Sequence, residues 1–141
     1  MDWNKLYSGR VASMGHSDVA AMLKLAERPE VISFAGGLPD PDTFLLEETR
    51  AVFEQVLTRM GTAALGYGPT HGITPLREWL AGHMTRMGRP TETGECLITT
   101  GGIAALDLIC RVLLDPGDRV VVGEPAYLAA LHVIRSHQAR F

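Results

Sequence analysis

The sequence predicts an α/β fold, and three observations carry that expectation. Two short β-branched runs, Leu97, Ile98, Thr99, Thr100 and Arg119, Val120, Val121, Val122, bracket a stretch whose apolar residues recur at Ile103, Leu106, Cys110 and Leu113, a helical spacing. Gly101 and Gly102 separate the first run from the helix, and Asp115, Pro116 and Gly117 separate the helix from the second run, so the order is strand, helix, strand. Finally, 141 residues with 46% hydrophobic and 21% charged side chains have the composition of one globular domain with a core.

Composition also excludes several functions. A net charge of −3 and a pI near 5.9 leave no basic stripe for phosphates of a nucleic acid, so no nucleic-acid partner is expected. The first residues lack the layout of a signal peptide and no apolar run is long enough to span a bilayer, so no membrane partner is expected and the chain reads as cytoplasmic. Cys96 and Cys110 suit a reducing compartment. The histidines at 16, 71, 83, 132 and 137 form no metal-binding spacing, and neither a Ser-His-Asp arrangement nor a Cys-x-x-Cys pair is present. No metal site is expected.

Taken in order, residues 1–14 show no period and read as an irregular arm. Ser17 can cap a short helix with Val19, Met22, Leu23 and Ala26 on its apolar side, closed by Arg28 and Pro29. Val31, Ile32, Ser33 and Phe34 read as a strand, followed by a Gly/Pro loop through Gly36 and Gly37. A helix is expected over 46–60, with Glu47 and Glu48 at its favourable end and Gly61 just after it. Thr74 and Pro75 read as an N-cap and first helical residue of a helix that buries Leu76, Leu80, Met84 and Met87 and stops at Gly88. Leu128, Leu131 and Ile134 begin a last apolar stripe.

The helix after Gly101 and Gly102 aims its first unpaired N–H groups and the positive end of its dipole at the space past the strand. An anion suits that space. The same turn also serves as a plain connection in many α/β folds, and the residues alone leave both readings open. The loop through Gly36 and Gly37 can hold a carboxylate or be a linker. Tyr67, set between glycines, is either a ligand group or a turn anchor. Tyr127 stands at the carboxyl end of the second strand, at the same rim as the glycine pair, where an aromatic face and backbone N–H groups together suit a flat ring that bears a phosphate.

Val31 to Pro39, the loop Tyr67, Gly68, Pro69, Thr70, His71, Gly72 with Leu76 and Arg77, and the whole of 97–127 occur in one order. In this the chain resembles the class I/II aminotransferases, and within them the fold-type I branch of 2-aminoadipate and kynurenine aminotransferases. The resemblance implies an arm and short helix over 1–30, then over 31–141 the first part of a large domain binding pyridoxal 5'-phosphate, with an incomplete sheet. It implies phosphate contacts from Gly101, Gly102 and Ile103, a pyridine ring stacked on Tyr127, and Tyr67 reaching the phosphate of a partner subunit's cofactor in a homodimer. Gly36 and Gly37 would meet the substrate carboxylate, and the substrates would be an amino acid and a 2-oxo acid. Relatives commonly carry Ser-Gln-Gln after the first glycine where this chain has Gly102, Ile103 and Ala104, so the backbone is left to bind the anion.

Such chemistry needs a lysine that holds the cofactor aldehyde and moves the α-proton. The chain has only Lys5 and Lys24, neither at the family's catalytic position. No catalytic residue is therefore expected here, and the chain reads as the N-terminal piece of a longer enzyme, inactive alone. Two other readings are a non-catalytic binding or interaction module, and a small nucleotide-binding protein with Glu124 on a ribose; the missing third glycine of a dinucleotide turn argues against the latter.

Overall fold

The computed structural model describes residues 2–14, 24–26, 28, 30–32, 34, 37 and 39–141. Through them run α1 (Gly9–Met14), α2 (Leu46–Met60), α3 (Thr74–Arg86), α4 (Gly102–Leu113) and α5 (Leu128–Ser136), with short 3-10 segments at Trp3–Lys5, Pro41–Thr43, Gly61–Leu65 and Thr93–Glu95. The chain divides into two compact units, one of Met1–Gly37 with Thr100–Phe141 and one of Leu38–Thr99.

In the second unit, α2 has the expected limits. Glu47 and Glu48 lie in its first turn, and Gly61, at φ +56, closes it by donating its N–H to the Leu57 carbonyl. Its apolar stripe is not covered, for Val52 and Phe53 are both more than half exposed. Helix α3 corrects one expectation: Ile73, not Thr74, is the N-cap, and Arg77 N–H opens the ladder on the Ile73 carbonyl at 3.2 Å. Pro75 then falls within the first turn, where its missing N–H costs no bond. The helix ends at Arg86, and Gly88 turns the chain at φ +87. Of the four residues expected inside, Leu80 and Met84 are half-buried and Leu76 and Met87 exposed, while Ala81 is buried. Beyond α3 a capping box closes Thr93–Glu95, with Glu92 N–H on Glu95 Oε2 at 2.8 Å, and Arg77 Nη1 donates to the Thr93 carbonyl at 3.1 Å.

In the first unit α4 packs on α5, and α1 also lies against α5. Cys110 and Ile134 are the buried apolar residues there, with His137 beside them. The stretch expected to be an irregular arm thus contains a short helix, α1. Residues 24–26 are helical, but Ser17, Val19, Met22 and Leu23 lie outside the described residues.

The expected strands are the main departure. Val31, Ile32, Phe34, 97–100 and 120–122 form no strand, and Ser33 lies outside the described residues. One parallel bridge joins Arg119 to Arg140, with Val120 N–H on the Arg140 carbonyl at 2.8 Å and Arg140 N–H on the Asp118 carbonyl at 2.7 Å. β-branched runs adopt extended backbone, but a strand exists only as part of a ladder, and among the described residues no ladder forms beside these runs. The expected core shrinks for the same reason: helices with no sheet among the described residues have little to pack on. Among the described residues only Ala81, Cys110 and Ile134 are buried hydrophobes, while Ile32 is 85% exposed and Val121 99%.

Candidate functional site

Gly101 is the N-cap of α4, at φ +127 and ψ 167. Backbone of this kind is essentially restricted to glycine, although a Cβ built there meets nothing within 4 Å. The glycine is demanded by the backbone, and the space in front of it is open. The Gly101 carbonyl accepts the first helical bond, from Ala105 N–H at 3.1 Å. The N–H groups of Gly102, Ile103 and Ala104 come before that bond and have no partner in the helix. Residues 101–103 are exposed, and a Cβ at Gly102 also meets nothing. A helix of 12 residues ending this way offers three amides and a positive dipole end to an anion. Ile103 contributes only its amide, as its side chain has no polar atom.

Tyr127 occupies the same place on α5. After the cis peptide Glu124–Pro125 the chain extends, and Tyr127 becomes the N-cap at φ −67 and ψ 116, its carbonyl accepting Leu131 N–H at 3.2 Å. The residue is 68% exposed. Gly101 and Tyr127 are thus the N-caps of two helices that pack on each other in one unit.

Of the remaining candidates, Gly37 belongs to that unit; it has φ +57 and open space around a built Cβ. Gly36 lies outside the described residues. Tyr67 belongs to the other unit and is fully exposed. Its loop is pinned behind it: Gly72 N–H donates to the Pro69 carbonyl at 2.8 Å, and Ile98 N–H to the His71 carbonyl at 3.0 Å. Gly72 has φ +94, and a Cβ there would lie 2.3 Å from Ile98 Cγ1. The ring that the sequence left as ligand group or turn anchor anchors nothing locally, since the loop is held by backbone.

One polar group was not singled out from the sequence. His137, whose side chain is 7% exposed, meets Asp107 Oδ1 through Nε2 at 2.8 Å, and Arg111 Nη2 donates to Asp107 Oδ2 at 2.8 Å. The His137 and Arg111 hydrogen bonds hold the Asp107 carboxyl below its ordinary range, and burial opposes them. Next to it burial, and then the Asp107 charge, push the Cys110 thiol up. Only Asp107 and Arg111, four apart on a helix, could have been paired by spacing; His137 is 30 positions away and needs the fold.

With that geometry in place, the comparisons are decisive. The model of the family described as aminotransferase class I and II matches residues 29–141. The chain belongs to this family. It is 42% identical over 142 residues to aromatic-amino-acid aminotransferase 1 of Thermococcus litoralis and 38% identical over 141 residues to the 2-aminoadipate transaminase of Thermus thermophilus, covering all of this chain and 34% of each relative. Among solved structures it is similar to LysN, the α-aminoadipate aminotransferase of Thermus thermophilus complexed with N-(5'-phosphopyridoxyl)-L-leucine, at a TM-score of 0.81 and 34% identity, over all of this chain and 34% of that one. The aminotransferase chain therefore has the fold of the fold-type I enzymes in their N-terminal part, and spans about a third of the length of these relatives.

Proposed function

We propose that this chain supplies the phosphate cradle and the ring cover for pyridoxal 5'-phosphate in an aminotransferase that exchanges an amino group between an amino acid and a 2-oxo acid. One observation carries the reading: Gly101 and Tyr127 are N-caps of packed helices, the first followed by amides that have no partner within the helix and the second itself an exposed aromatic residue. The residues fit the cofactor, because a Cβ built at Gly101 or Gly102 meets nothing within 4 Å and residues 101–103 are exposed. When bound, the cofactor supplies an aldehyde that takes up the amino group and a ring that draws electrons from the breaking bond.

The chain's own residues bind and orient. Amides of Gly102, Ile103 and Ala104 hold the phosphate, and the hydroxyl of Thr100 can join them. Tyr127 covers one face of the ring and keeps water from it. Gly36 and Gly37 hold the substrate carboxylate by backbone N–H groups, and Tyr67 gives its phenol to the cofactor phosphate of a second subunit, in a homodimer. Residues 31–141 form the first part of the large domain, after an arm over 1–30. The free thiols of Cys96 and Cys110 favour a reducing compartment, and we place the protein in the cytoplasm, in amino-acid metabolism.

Neither lysine is assigned as the base for the α-proton: Lys5 is exposed and lies 3.9 Å from Asp2, and Lys24 is exposed on residues 24–26. Mixing it with pyridoxal phosphate and an amino acid should quench cofactor fluorescence, with Tyr127→Ala weakening binding about tenfold, yet release no 2-oxo acid. Absence of binding would overturn the cradle, and steady release of oxo acid would overturn the account of the missing lysine.

A further inference from the structure

The two helices that carry the candidate cofactor contacts pack on each other with few fully buried side chains: Cys110 on α4 and Ile134 on α5 are buried hydrophobes, and residues 104–106 and 129–131 are half-buried. Hydrophobic attraction is non-directional, and half-buried side chains constrain register less than a directed hydrogen bond. The Asp107 carboxylate accepts such a bond. It lies five residues beyond Gly102, about 8 Å along α4, and His137 lies at the C-cap of α5, about 14 Å beyond Leu128. His137 is itself held on its far side. The next residue, Gln138, is at φ +60, its carbonyl accepts Gly117 N–H at 2.9 Å, and Arg140 bridges to Arg119.

We infer that Asp107 and His137 are positioning residues that set the register of α4 against α5, and so the placement of the Gly101 cradle relative to Tyr127. The inference rests on the cofactor reading. Arg111, from the same helix as Asp107, occupies the second carboxylate oxygen and so orients the carboxylate, leaving Oδ1 for one directed hydrogen bond from His137 across to α5. Cys110, buried beside it, is kept as a neutral thiol and completes the seam. A phosphate alone needs only the amides of α4, but a ring joined to a phosphate needs both helix ends at one spacing.

The test compares the wild-type chain with His137→Leu, which removes the donor, and His137→Gln, which keeps an amide donor. Residual dipolar couplings of the amides in α4 and α5 report helix orientation without any ligand. Affinities for inorganic phosphate and for pyridoxal phosphate are measured beside them. His137→Leu should turn α4 relative to α5 and weaken pyridoxal phosphate about tenfold while inorganic phosphate stays within about twofold, and His137→Gln should restore both. Unchanged couplings in His137→Leu, or equal losses for both ligands, would overturn the inference, the second because general destabilisation would explain it. Failure of the wild type to bind either ligand would overturn the cofactor reading, and the couplings would still decide the register.

Discussion

Gly101 and Gly72 show two different reasons for a glycine. At Gly101 there is room for a side chain but the φ and ψ exclude one, so Gly101→Ala should cost about 1–3 kcal/mol in strain or reshape the turn, and weaken phosphate binding in either case. At Gly72 both constraints act, because φ is +94 and a Cβ would lie 2.6 Å from Ile98 Cβ. Gly72→Ala should therefore destabilise its unit by about 2–5 kcal/mol, measured by urea unfolding, and the clash should persist with Ile98→Ala, which keeps the Cβ, and be relieved only with Ile98→Gly, the strain of the positive φ remaining. The two cysteines differ as sharply. Cys96 is half-buried and Cys110 buried with its thiol pushed up, so iodoacetamide at neutral pH should label Cys96 first. The glycines were legible as turns from sequence; which constraint each meets was not, since Ile98 approaches Gly72 from 26 residues away.

At the scale of elements, apolar spacing together with turn residues located α2 to α5 but not α1, which lies where the sequence shows no period. Helix α2 has the predicted limits, and α4 begins within a residue of the predicted Ile103, because the turn glycines and the apolar spacing are local signals. Strands were over-predicted, since 97–100 and 119–122 carry strand-like residues but a ladder requires a neighbour that local pattern does not specify. Between elements the Asp107 contact makes a pH prediction. Its folded pKa is depressed, chiefly by the His137 hydrogen bond, so its stabilisation is fully present above the ordinary carboxylate range near ~4 and is lost as pH falls through the lowered folded value. Melting temperatures should fall more steeply with acid in the wild type than in Asp107→Asn, and parallel curves would contradict this.

For the molecule as a whole, exposed hydrophobes set the expectation. With Phe34 fully exposed and Val112 at 79%, the chain should bind the dye ANS and unfold in urea with a slope near the low end of the ~1–3 kcal/mol/M range. The α/β class and the glycine turn that opens α4 were legible because the turn, the helix and Tyr127 lie within 27 residues of one another. The small core was not, for hydrophobic content says what seeks burial and not what is there to bury it. The central claim is that amides opening α4 and the Tyr127 ring bind one cofactor together. A titration with pyridoxal phosphate followed by proton–nitrogen correlation spectra tests it most directly: the amides of Gly102 and Ile103 and the ring of Tyr127 should shift with one dissociation constant, and a titration that leaves them still, or moves them independently, would contradict it.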